Sequence, residues 1–164
     1  MLKLIRIVFY TILFLFVLDI INVFQTKIDF LKLLIYYGVA VLPILLLVME
    51  FRKNRNSFRY VFWSVIPILT IVSVVYLNPY KLLFNIEPWK TQTVKFINEN
   101  DSNRQVEFQM KDIGALGYAR RDVEIYYMTS YFYIVLNNEY DEQKYIGNKW
   151  TGVDLDINEI ELFY

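Results

Sequence analysis

Hydrophobic positions run almost unbroken through the first 80 residues and then switch to alternation with polar ones. Three continuous apolar runs, Leu4–Phe24, Phe30–Met49 and Tyr60–Tyr80, precede a C-terminal half in which apolar side chains recur at every second position. A helix needs about 20 apolar residues to cross a hydrocarbon core roughly 30 Å thick. The pattern therefore predicts three transmembrane α-helices over residues 1–80, an exit linker over 81–90 and a small antiparallel β-rich domain, all-β or α+β, over 91–164.

The first run resembles a signal peptide in its basic start, Lys3 and Arg6, and its apolar stretch Ile7–Leu18. No small-x-small cleavage site follows, and apolar character resumes after Asp19. We read it as an uncleaved first helix with Arg6 snorkelling toward the headgroups. Asp29 or Thr26 would cap the second helix. Between the second and third runs lies a short loop carrying Arg52, Lys53, Arg55 and Arg59, which the positive-inside rule assigns to the cytoplasm. The N-terminus then lies inside, while the Gln25–Asp29 connection and everything after Tyr80 lie outside. Pro43 and Pro67 fall inside the second and third helices, as paired hinges or as ordinary packing kinks, the latter preferred. Asp19 is the single ionisable residue well inside a run, an intramembrane polar site or a side chain at the outer interface. Gly38 and Ala40 would allow close helix approach, and Ser64, Thr70 and Ser73 share one face of the third helix.

Beyond the runs, Thr91–Ile97 and Gln105–Ile113 read as a hairpin around a polar turn at residues 98–103. In the second of these strands Val106, Phe108 and Met110 share one face and Glu107, Gln109 and Lys111 the other. Asp122–Tyr127 alternates again, followed by Tyr131–Leu136, an acidic polar loop over Asn137–Asn148 and a last strand or short helix over residues 153–162. Four or five strands are expected, with eight tyrosines between Tyr118 and Tyr164 packing apolar ring faces and keeping their hydroxyls wet.

Composition sharpens this. Hydrophobic residues make up 56% of the chain and the formal net charge is zero, yet the N-terminal half carries a balance of +5 and the C-terminal half −5. An acidic exposed half argues against nucleic acid as a partner, since phosphate binding needs a basic footprint. The absence of cysteine and histidine excludes disulfides, thiolate chemistry and Cys- or His-based metal sites. The frequent Ile, Asn, Lys, Tyr and Phe suit an AT-rich bacterial genome.

Candidate chemistry is sparse. Gly114 and Gly117 open a loop that continues into Arg120 and Arg121, which would hold an anion or lipid headgroup, or serve only as a glycine turn. No phosphate-loop or dinucleotide fingerprint is present. Asp154, Asp156 and Asn158 are spaced like the opening of a calcium loop, but Glu159 replaces the required glycine. Ser102 and Ser130 have no lysine base at a helical offset. No cofactor, metal or catalytic set is expected. The expectation is a non-catalytic protein of the bacterial cytoplasmic membrane, presenting a β domain outside to a protein partner or a second copy. It would serve as an accessory subunit of an envelope complex or as an immunity-type protein. The alternative is a subunit of a transport or ion-coupled assembly using Asp19, Pro43 and Pro67.

Overall fold

The computed structural model describes residues 1–54, 58–76, 86–147 and 149–161. Residues 55–57 of the expected basic loop, 77–80 of the third apolar run, 81–85 of the expected exit linker, residue 148 and the last three residues lie outside them. The chain divides into a helical unit, Met1–Val17 with Phe30–Ile86, and a β unit, Leu18–Asp29 with Glu87–Tyr164.

Among the described residues there are three α-helices, α1 (Leu2–Ile20), α2 (Asp29–Asn54) and α3 (Phe58–Tyr76). Where three spans were expected, one stretch among the described residues, Asp29–Arg52, is long and apolar enough to cross a membrane. Lys3, Arg6 and Asp19 interrupt the 19 residues of α1, and the apolar part of α3, Val61–Tyr76, is shorter. α2 also runs through Glu50 into the segment read as a loop. Pro43 and Pro67 sit inside α2 and α3, which continue past them.

The helices pack side by side. Ile12 and Phe16 of α1 meet Ile35, Tyr36 and Val39 of α2, with Val74 of α3 against the same cluster. A β-carbon on Gly38 would stand 3.0 Å from two carbons of Ile12, so glycine permits this approach, whereas Ala40 is exposed. Ser64 and Thr70 are buried, and the Thr70 hydroxyl donates to the Ile66 carbonyl at 2.9 Å; Ser73 is exposed. Arg6 does not snorkel. Its Nε donates to Glu50 Oε1 at 2.7 Å, and its guanidinium lies 4.1 Å over the Trp63 ring, joining α1, α2 and α3. A carboxylate that is 1% exposed needs such a partner, because an unpaired buried charge costs several kcal/mol, on the order of 3–5.

Among its described residues the β unit forms one antiparallel sheet of six strands in the order β1-β5-β4-β3-β2-β6. Five come from the C-terminal half: β2 (Lys90–Asn98), β3 (Asp101–Asp112), β4 (Tyr118–Tyr127), β5 (Phe132–Asn137) and β6 (Trp150–Asp156). The sixth, β1 (Phe24–Thr26), comes from the last residue of the first apolar run and the start of the connection read over Gln25–Asp29, and sets Gln25 opposite Tyr133. β4 begins earlier than alternation suggested, so Arg120 and Arg121 lie in a strand. The tail is a strand to Asp156, after which the Ile157 and Asn158 amides bond the Gln92 carbonyl at 2.8 and 3.0 Å.

Alternation predicted one buried face, and both are covered. In β3, Val106 and Met110 are buried on one side and Glu107 and Gln109 on the other. The sheet is also strongly curled. Lys27 follows β1, four strand steps from β2, which on a flat sheet is about 19 Å. Yet Lys27 Nζ donates to Thr91 Oγ1 of β2 at 2.6 Å. The Glu107–Gln109 face is therefore concave.

Candidate functional site

The concave face holds a continuous chain of polar side chains. Arg121 of β4 stands opposite Gln109 of β3 in register, and its Nε and Nη2 donate to Gln109 Oε1 at 3.0 and 2.8 Å. Gln109 Nε2 donates to Glu107 Oε2 at 2.9 Å, and Glu107 also accepts from the Thr91 hydroxyl at 2.5 Å and the Tyr127 hydroxyl at 2.8 Å. Thr91 Oγ1 accepts in turn from Lys27 Nζ, which donates to Glu159 Oε1 at 2.8 Å. The second Glu159 oxygen accepts from the Thr91 amide at 2.6 Å. Positive and negative groups alternate along this path, so each buried charge has an opposite neighbour or a hydrogen-bond donor. That condition makes burial tolerable.

Arg121 is the hub. Beyond Gln109 it reaches Tyr133 OH at 3.2 Å and Asn22 Oδ1 at 3.4 Å, and it stacks 4.1 Å from the Trp89 ring. Burial lowers its pKa, while Tyr133, Asp19 and Glu107 work to raise it. Asp19 is buried at the end of α1 within the β unit, and its charge acts on Arg121. Burial, and then the Glu107 charge, push the Tyr127 phenol far up; burial does the same to Tyr133. Both phenols therefore stay protonated donors through the neutral range. The network offers fixed dipoles and paired charges that orient segments. It ties the stretch between α1 and α2 (Asn22, Lys27), the chain after α3 (Trp89, Thr91) and the tail (Glu159) to the sheet.

A second cluster occupies the opposite face. Glu124 of β4 accepts from Arg104 Nε at 2.7 Å, Lys144 Nζ at 3.3 Å and Tyr145 OH at 2.9 Å. Tyr145 is 1% exposed and its ring packs on Phe96, Tyr140 and Trp150, with centroids 5.7, 6.1 and 5.1 Å away. The stretch read as an acidic polar loop thus folds through a short 3-10 turn, Glu142–Lys144, to pin itself on the sheet.

Burial raises Glu124, but the Arg104 and Tyr145 hydrogen bonds and the Arg104 and Lys144 charges outweigh it, holding the carboxyl below its ordinary 4.5. A depressed folded value contributes stability above the ordinary value and loses it as pH falls through the folded one. The denaturant midpoint is therefore expected to drop on acidification below pH 4.5, and Glu124→Gln to flatten that drop. Parallel losses in the two proteins, measured by denaturant titration across that range, would contradict this coupling.

The residues singled out from sequence divide among these places. Gly114 and Gly117 have φ of 69° and 88° and close a turn in which the Gly114 amide bonds Asp112 Oδ1 at 2.6 Å. Arg120 beside it is exposed, while Arg121 turns into the network. Pro43 and Pro67 belong to the helical unit, apart in sequence from the other candidates. Asp154 lies on β6 and Asn158 beyond it, and no group of three or more metal-ligating side chains is assembled among the described residues. Ser130 lies in the exposed β4–β5 turn and Ser102 near the exposed start of β3. Glu107, Gln109, Tyr127 and Lys27 were missed as members of a site. The available signal was the run of polar residues at alternate positions in β3, which suits a solvated face equally well. No protein-family model matches this chain, and no curated protein or solved structure matches it.

Proposed function

We propose that this chain is a non-catalytic polytopic protein of the bacterial cytoplasmic membrane, whose three helices hold a β unit outside the cell membrane for contact with another protein. The observation that carries the topology is the pairing of β1 with β5. Paired strands share a compartment, so an even number of crossings separates residues 24–26 from 132–134. α2 and α3 are the helices between them, so a spanning α2 requires α3 to return. α1 lies antiparallel along α2, from Arg6 near Glu50 to Phe16 near Tyr36, and would cross with it. Large apolar side chains stand outward on all three helices, among them Ile7, Phe14, Val41, Ile44, Phe62 and Leu69. Lipid is the solvent that accepts such a surface. The basic residues between α2 and α3 favour the cytoplasm for that part of the chain and the outside for the β unit.

Contact with a partner is best supported at β6. It is an edge strand on which Val153 and Leu155 are exposed, and the exposed Ile157 follows it. Val153 and Asp154 together oppose Lys95, a bulge that interrupts the edge and favours side-chain contact over long strand addition. We read this surface as that of an accessory subunit of an envelope complex or of an immunity-type protein. The test is crosslinking from Leu155→Cys in the full-length protein within membranes. One discrete adduct that disappears with a Val153→Asp change is expected, and a diffuse ladder or no adduct would reject the reading. Nothing specific favours the transport alternative.

A further inference from the structure

We infer that the protein partner meets β6 with an extended segment of alternating apolar and cationic side chains, and is not a second copy of this chain. This names the partner for the contact read at β6 above, and rests on that reading. Leu155 stands opposite Val94 in register and Asp156 opposite Thr93, so neighbouring side chains leave the strand on opposite faces. Val153 is 39% exposed, Leu155 52% and Ile157, just beyond the strand, 43%. Asp154 and Asp156 between them are exposed as well. Apolar and acidic side chains thus alternate along one sheet edge, on whose outer side no strand pairs among the described residues.

The cations that could neutralise those acids are committed elsewhere. Lys95, opposite the bulge, pairs with Asp122 at 2.8 Å and lies 4.5 Å over the Tyr140 ring. Arg104 and Lys144 are held by Glu124, and Lys27 by Glu159. Lys149 is exposed, but it precedes the strand at the end away from Asp156. Neither Asp154 nor Asp156 has an ion pair among the described residues. Burial raises the Tyr140 phenol and Lys95 lowers it, while Glu142, Asp122 and Asp154 raise it further, so acids of the Glu142–Lys144 turn and of β6 reinforce one field.

That field decides between occupants. A second β6 brought up by a twofold axis at Leu155 would set Asp154 of one copy against Asp156 of the other. Like charges opposed across strands are destabilising. Lysine or arginine in those positions makes opposite-charge pairs instead, with apolar side chains between them covering Val153, Leu155 and Ile157. The acids therefore repel self-association at an edge that would otherwise invite it, and admit a cationic strand. The bulge at residues 153–154 limits the backbone ladder, which leaves the side chains to carry selectivity.

The probe is a dye-labelled peptide alternating lysine with valine and leucine, titrated against the full-length protein in neutral detergent and followed by fluorescence anisotropy. Its controls are a peptide with the same residues in block order and one with glutamate for lysine. The alternating cationic peptide is expected to bind, and both controls to bind at least about tenfold more weakly. Asp154→Asn combined with Asp156→Asn should weaken it about tenfold, since two opposite-charge pairs are lost. Asparagine tolerates the φ of 42° at residue 154, so the fold is kept. The same peptide should suppress the membrane adduct of Leu155→Cys. Unchanged binding in the double variant, equal binding of the controls, or a discrete adduct that survives saturating peptide refutes the cationic partner, and in the last case the contact at β6 stands. An adduct with the mass of a homodimer identifies a second copy and refutes it too. If neither the peptide nor any membrane protein engages β6, the contact reading falls and this inference with it.

Discussion

Glu107→Ala is expected to destabilise the β unit by about 3–5 kcal/mol, the cost of removing one partner from a buried charged network. The change strips acceptors from the Thr91 hydroxyl, the Gln109 amide and the Tyr127 hydroxyl at once. Each unsatisfied buried donor costs about 1–3 kcal/mol, and the three share one site, so simple addition overstates the sum. Domains of this size have about 5–15 kcal/mol in total, so the variant should sit near its unfolding threshold. Glu107→Gln keeps the shape and one acceptor oxygen and should lose markedly less. Denaturant titration of the full-length protein in detergent, followed by tryptophan and tyrosine emission, measures both. A Glu107→Ala midpoint indistinguishable from that of the parent would mean that the concave face is solvated.

Tyr145→Ala is expected to cost about 3–5 kcal/mol, the range for emptying a buried aromatic site. The ring fills the space between Phe96, Tyr140 and Trp150, and its hydroxyl supports Glu124. Tyr145→Phe keeps the packing and deletes only that hydrogen bond, for about 1–2 kcal/mol. Residues 138–149 should then become the earliest site of proteolysis in Tyr145→Ala, because their anchor is gone. Equal losses in the two variants would assign the contribution to the hydroxyl rather than the ring.

The helical and strand-forming halves were legible because local periodicity reports which solvent or face a segment prefers. The glycine turn was legible too, since Gly114 and Gly117 take the left-handed φ that their residue type allows. The concave network was hidden for a definite reason. Alternation in β3 tells which residues share a face, and Glu107, Gln109 and Lys111 do. It cannot tell whether another segment covers that face. Tyr145 was likewise masked by its polar neighbours, Glu142, Gln143 and Lys144.

The sequence alone determined the class of this protein: apolar helices first, then alternating strands, with no cysteine or histidine to carry chemistry. These are properties of short windows, where the hydrophobic effect acts on each residue through its near neighbours. Only the tertiary structure decided that Phe24–Thr26 completes the sheet, that Arg6 turns inward to Glu50, and that Arg121, Glu107 and Lys27 join in one buried path. Each of these contacts links residues far apart in sequence. A three-residue strand or a lone charge has no local preference strong enough to announce a partner that folding must first bring within reach.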